Sequence, residues 1–174
     1  MINFRIIKNP IIDTIQSSFS GTTPTLYEHK AIKKSNGCNK KLFVEDFSLA
    51  LELSKLGSFC FIDNFTSFGP KDDENRIMNS KKTQLIHDYN AALYYFVKNN
   101  NQLNSEAKIV ACKKAIGRTN KWAIRNSKAN FLNKMLLLRI FLSSGLTNYI
   151  YLLRQSCLYF YDKVKENEIR YKIK

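Results

Sequence analysis

The run Asn36-Gly37-Cys38-Asn39-Lys40-Lys41-Leu42-Phe43-Val44-Glu45-Asp46-Phe47-Ser48-Leu49-Ala50-Leu51-Glu52-Leu53-Ser54-Lys55-Leu56-Gly57 decides the reading of the first half of this chain. Leu49, Leu53 and Leu56 recur at helical spacing, with Ala50 beside them and Phe47 and Leu51 on the flanks, so an amphipathic helix begins at Glu45. A buried strand through 47–53 fails on Glu52, on Ser54 and on length. A tight loop enters the helix, Gly37 closes the short helix ahead of that loop, since a left-handed C-terminal position favours Gly or Asn, and Gly57 ends the run. The apolar stretch Ser58-Phe59-Cys60-Phe61-Ile62-Asp63 then reads as a short strand. Glu45 and Asp46 sit side by side in the first helical turn, where the helix dipole favours negative charge; acids are common there as caps whatever else they do.

Outward from this run, Asn3 to Lys8 reads as a strand, and Pro10 delays or prevents any helix there. Ser17 to Thr23 is a polar loop, Pro24 to Tyr27 is extended, and Glu28 to Lys34 is a short helix. Beyond the loop 64–73 the character changes. Leu85, Ile86, Tyr89, Ala92, Leu93, Phe96 and Val97 predict a helix over 80–98, which Asn99-Asn100-Asn101 breaks. A second helix is expected over 105–116, capped by Ser105 and stopped by Gly117. Two more are expected over 127–142 and 147–165. The expected fold class is thus α/β at the N-terminus, followed by a mainly α-helical C-terminal half, with regions 1–75 and 76–174.

Composition narrows the function. The 174 residues are 44% hydrophobic with only three prolines and six glycines, enough for a packed core of regular elements. Cys38, Cys60, Cys112 and Cys157 lie far apart, and His29 and His87 have no partner at ligand spacing. Buried reduced thiols and no metal site are expected, in a reducing, cytoplasmic setting. The net charge of +14 is uneven: eight basic against six acidic residues over 1–70, then twenty against eight over 71–174. A basic helical region attracts phosphate-bearing partners, whether nucleic acid, anionic lipid or a polyprenyl phosphate. The longest charge-free run, Ile140 to Leu153, has 14 residues and several polar ones, too short to span a bilayer, which takes about 20. With Lys134, Arg139, Arg154 and Lys163 around it, such a helix fits an anionic membrane surface or a protein core.

The stretch from Gly21 to Pro70 resembles the acceptor side of the catalytic domain of family 2 glycosyltransferases, a GT-A-type family. Gly21-Thr22-Thr23-Pro24-Thr25-Leu26-Tyr27 is similar to the small and hydroxyl residues, then a Leu-Tyr step, that precede the acceptor side of that site. Asn36-Gly37-Cys38-Asn39 stands at the family's Gly-Gly-Phe-Asp turn, keeping the second glycine but carrying Cys38 for Phe and Asn39 for Asp. Glu45-Asp46 matches the catalytic pair, and Leu49, Gly57 and the following strand keep their spacing; Glu52 stands where arginine is frequent. The resemblance implies that Asp46 is the catalytic base and that Glu45, Thr23 and Tyr27 bind the acceptor. An inverting transfer needs such a base, ionised at rest and within about 2.6–3.2 Å of the attacking hydroxyl.

The Asp-x-Asp motif that holds a divalent metal against the donor diphosphate has no counterpart here. Asp72-Asp73-Glu74 follows the catalytic region and reads as a solvated helix start, and Ser67-Phe68-Gly69-Pro70-Lys71 replaces the Arg-x-His element of many relatives. The nucleotide-binding half is therefore expected to be absent, with no cofactor in this chain and a metal only with that missing half. Implied partners are a sugar acceptor, free or lipid-linked, a donor-binding polypeptide and an anionic membrane surface at the cytoplasmic inner face. The expected activity is sugar transfer in surface polysaccharide biosynthesis, incomplete in this chain alone. Three alternatives stand beside it: a basic nucleic-acid-binding protein, a membrane-associated helical protein and an inactive transferase remnant.

Overall fold

A computed structural model describes residues 3–17, 24–62, 81–126, 148–164 and 173. They form a mostly helical protein with one small sheet near the N-terminus. Strands β1 (Phe4–Ile7) and β2 (Phe59–Ile62) pair antiparallel, Phe4 opposite Ile62 and Ile7 opposite Phe59. Alternation along each strand puts Phe4, Ile6, Cys60 and Ile62 on one face, and all four are exposed. Phe59 and Phe61 turn the other way and are half-buried, with the Arg5 guanidinium 5.7 Å from the Phe61 ring centre.

The helices are α1 (Ile11–Ser17), α2 (His29–Lys34), α3 (Glu45–Leu53), α4 (Lys82–Asn99), α5 (Ser105–Asn126) and α6 (Tyr149–Leu158), followed by a 3₁₀ turn at Tyr161–Lys163. Helix α4 is central, packing against α3, α5 and α6, while α1 rests on α3 and α5. Ala107, Ala111, Ala115, Thr119 and Ala123 recur every fourth residue along α5 and are all buried. Such a small-residue ridge lets a neighbouring helix approach closely. Phe47 and Leu51 of α3 share one hydrophobic core with Leu93 and Phe96 of α4 and with Leu152 and Leu153 of α6. Residues from both sides of position 75 thus build the same core.

The interior also holds a polar network. Asp88 is fully buried, and its carboxylate accepts from the Phe43 backbone N–H at 2.7 Å, from His87 Nδ1 at 2.7 Å and from the Gln84 amide. On the other side of the imidazole, Nε2 accepts from the Ile173 N–H at 3.5 Å, which leaves the ring proton on Nδ1, facing the carboxylate. One helix turn of α4 thereby ties down both the loop before α3 and the C-terminal Ile173. Asn90, one turn on, donates to Thr119 Oγ1 at 3.0 Å and to the Ser156 carbonyl at 3.3 Å, bridging α5 and α6.

Several sequence expectations need correction. Helix α5 runs through Gly117 to Asn126, because its buried face continues through Thr119 and Ala123 and outweighs one glycine's propensity cost of about 1 kcal/mol. Its cap is Asn104 rather than Ser105: Asn104 Oδ1 accepts from the Ala107 N–H at 2.8 Å. Helix α1 starts directly after Pro10, whose carbonyl accepts from the Thr14 N–H at 2.8 Å and the Thr14 hydroxyl at 2.6 Å. Proline suits a helix start, since the N–H it lacks would have no partner there. Helix α6 is shorter than 147–165. Cys38 and Cys60 are exposed, and only Cys112 and Cys157 are buried. The helix expected over 127–142, Lys134, Arg139 and the acidic run 72–74 lie outside the described residues.

Candidate functional site

The loop into α3 is held residue by residue. Asn36 and Gly37 both adopt left-handed backbone, with φ of 61° and 73°. The Ser35 hydroxyl anchors them, donating to the Ile32 carbonyl at 2.8 Å and accepting from the Gly37 N–H at 3.3 Å. Asn39 Oδ1 then accepts from the Lys41 N–H at 3.1 Å, closing the next turn. Phe43 is fixed to Asp88, and α3 opens with the Ser48 N–H donating to the Val44 carbonyl at 3.1 Å. Val44 offers no side-chain cap. Asp46 supplies it instead, Oδ1 accepting from the Phe47 N–H at 2.8 Å, while the carboxylate stays exposed.

Two cavities lie near the start of α3, and neither Asp46 nor Glu45 is among the described residues that line them. The first, about 270 Å³, lies between the Asn36–Asn39 turn, α3 and α4. Its walls include Asn36, Asn39, Ser48, Glu52, Tyr95 and Asn99, a set of amides, a hydroxyl, a carboxylate and a phenol. Cys38 lines it too, and its thiol is raised above the ordinary range by burial first and then by the charges of Glu45 and Asp46. The second cavity, about 430 Å³, is framed by Gln16 and Ser17 at the end of α1, Tyr89 of α4, and Lys113, Lys114, Gly117, Arg118 and Lys121 of α5. The Tyr89 hydroxyl is raised by burial first and by the Asp46 charge, and Arg118 opposes that shift. Asp46 therefore acts electrostatically on a residue of each cavity.

Packing holds Arg118 in place. Its guanidinium lies 4.7 Å from the Tyr89 ring centre and 5.4 Å from that of Phe47, and those two rings are 5.1 Å apart. Burial pulls its pKa down to about 10, with the nearby Tyr89 acting in the opposite direction, which leaves it cationic at neutral pH. Lys114 donates to the Gln16 carbonyl, and its pKa is lowered by burial first, then by the like charges of Arg118 and Lys121.

Of the residues singled out from sequence, Asp46 and Glu45 stand where the helix start was expected, next to the Gly37 turn. Tyr27 is exposed ahead of α2 and lines neither cavity. Thr23 lies outside the described residues. No group of three or more His, Cys, Asp or Glu able to hold a metal occurs among the described residues. Nor is any helix among them long and apolar enough to cross a membrane. Sequence reasoning missed Tyr89, which reads as one more member of the α4 apolar stripe, and Arg118, which lies past the glycine taken to end its helix. The Lys113, Lys114, Gly117, Arg118, Lys121 spacing follows one helix face and would have exposed the second cavity had α5 been carried through Gly117.

Comparison of the chain with protein-family models, with curated proteins and with solved structures returns no match.

Proposed function

We propose that this chain is the acceptor-binding and base-bearing part of an inverting sugar transferase with a partial GT-A-like fold, in which Asp46 takes the proton from the acceptor hydroxyl. The observation that carries this reading is Asp46 itself: an exposed carboxylate, one oxygen fixed by the Phe47 N–H, whose charge reaches Cys38 of an amide- and hydroxyl-lined cavity and Tyr89 of a basic one. Amides, hydroxyls and carboxylates beside an aromatic ring are the groups that pair with sugar hydroxyls. A base must be held in a fixed direction, and anchoring one carboxylate oxygen leaves the other to meet the substrate. Glu45, next in the turn, is placed to bind a further acceptor hydroxyl.

The exposed sheet face of Phe4, Ile6, Cys60 and Ile62 supports the same reading. Exposed strands with apolar side chains favour addition of further sheet, here from a donor-binding polypeptide that carries the nucleotide and its metal. The work would take place at the cytoplasmic membrane face, on precursors of surface polysaccharide. The test is transfer of labelled sugar from a nucleotide sugar to a glycan acceptor, with this chain combined with a separate donor-binding polypeptide. Asp46→Asn keeps an oxygen for the Phe47 N–H, so melting temperature and acceptor binding should hold while kcat falls by roughly 10²-fold or more. Undiminished transfer by Asp46→Asn would remove the base assignment.

A further inference from the structure

The second cavity collects four cations from one helix. Lys113, Lys114, Arg118 and Lys121 line it together with Tyr89, and no carboxylate is among the described residues that line it. Repeated along α5 at intervals of one, four and three residues, they face one concavity rather than spreading along a stripe. Like charges at such helical spacing repel and weaken the helix. Two of the four are held in place: Lys114 donates to the Gln16 carbonyl, and Arg118 lies against the Phe47 and Tyr89 rings. A concave site with one sign of charge concentrates counter-ions and is satisfied by a bound anion. Flexible lysines act as point charges on phosphate oxygens, and a fixed guanidinium adds a planar, paired donor.

We infer that this cavity binds a diphosphate group, with Lys113 and Lys121 as mobile clamps and Arg118 as the fixed donor. A volume of about 430 Å³ admits a diphosphate together with the first part of whatever it esterifies. Gly117 sits in the cavity wall with open space within 4 Å of where a Cβ would stand, so the floor is bare backbone between the cations. Tyr89 borders this cavity, with the Arg118 guanidinium 4.7 Å from its ring centre. That the diphosphate belongs to the sugar acceptor rests on the transferase reading; that the cavity binds one does not.

The experiment is calorimetric titration of the full chain with inorganic pyrophosphate, without nucleotide sugar, so its result is independent of transfer. Lys113 and Lys121 are both exposed, and removing them should leave the fold intact. Lys113→Gln with Lys121→Gln should weaken pyrophosphate binding roughly ten- to hundredfold. Lys33→Gln with Lys34→Gln on α2 removes the same net charge elsewhere and should leave binding within about twofold, the residue of a general field effect. Equal losses in the two double variants, or no pyrophosphate binding at millimolar concentration, would overturn the site. So would binding of a single-stranded oligonucleotide that needs Lys113 and Lys121 while pyrophosphate fails to compete. A second arm identifies the source. Capture by phosphatidylcholine vesicles carrying a long-chain prenyl diphosphate, reversed by pyrophosphate, supports the site with a lipid-linked ligand. Pyrophosphate binding without such capture supports it with a soluble one.

Discussion

Removing the Asp88 carboxylate should cost more stability than any surface charge in this protein. Asp88→Ala strips the acceptor from three donors at once: the Phe43 N–H, His87 Nδ1–H and the Gln84 amide. Phe43 is partly buried, and His87 and Gln84 have almost no exposure, 0% and 1%. Leaving a buried donor unsatisfied costs about 1–3 kcal/mol. Three independent losses would total about 9 kcal/mol at most, but Gln84 stands in the first turn of α4 and can rotate toward another partner. Alanine also returns a few tenths of a kcal/mol in helix propensity. The expectation is therefore about 3–5 kcal/mol, the range for breaking buried polar pairs. Total stability for a domain is only about 5–15 kcal/mol, so the melting temperature should fall by roughly 6–20 °C.

Asp88→Asn separates charge from shape. Its carbonyl oxygen can still accept from Phe43, but its amide must then face the His87 or Gln84 N–H groups, donor against donor. His87 cannot escape by moving its proton, because Nε2 already faces the Ile173 N–H. A loss of about 2–3 kcal/mol is expected, smaller than for alanine. Urea unfolding followed by Trp122 fluorescence measures both, since this single tryptophan packs 5.3 Å from the Phe160 ring and reports α5 against the chain after α6. Hydrogen exchange at Phe43 supplies the local readout: its protection should drop in both variants. An Asp88→Ala loss below about 1 kcal/mol, or an asparagine variant as stable as the parent, would refute the view that this carboxylate ties the α3 loop to α4.

Three further outcomes are expected. Under native conditions near pH 8, a thiol reagent should modify Cys38 and Cys60 but not Cys112 or Cys157. Burial pushes Cys112 up to about 12 and raises Cys157 further, so these two should react only as the protein unfolds, and rapid native labelling of either would contradict their placement. In the same assay Asp46→Asn should speed Cys38, because removing a negative charge lowers a thiol pKa and raises the thiolate fraction at fixed pH; an unchanged rate would separate Cys38 from Asp46. Gly117→Ala should stabilise the protein by about 0.5–1 kcal/mol, since a Cβ there meets nothing within 4 Å and helix interiors prefer alanine. A lower urea midpoint would show that the position needs glycine.

What could be read from the sequence follows from where each signal lies. The α3 helix and its entry turn were legible because leucine spacing and the Asn36-Gly37 pair are local patterns, and the strand after Gly57 announced itself by composition. The end of α4 was legible for the same reason: Asn100 closes it, its side-chain amide donating to the Phe96 carbonyl at 2.7 Å. Gly117 misled because propensity is a local cost, whereas the buried ridge of α5 is a gain collected from α1, α4 and α6. Asp88 carried no local sign of burial. Its partner Phe43 lies 45 residues away, and a lone aspartate in a helical stripe is ordinarily solvated.

The candidate site has the same division within it. Asp46 is visible in sequence because a carboxylate at a helix start has a reason to be there, but that reason is capping, and the Phe47 N–H confirms that it caps. Anything further depends on neighbours from other elements. Cys38 comes from the preceding turn, Tyr89 from the second turn of α4, and Arg118 from the middle of α5. The Asp46 charge reaches two of them, adding to the larger effect of burial in raising both the Cys38 thiol and the Tyr89 phenol. The Arg118 guanidinium, lying against both the Tyr89 and Phe47 rings, then links the residue after Asp46 to the basic cavity. Displacing Phe47 would disturb the α3 start and the Arg118 position together, because both rest on one buried ring.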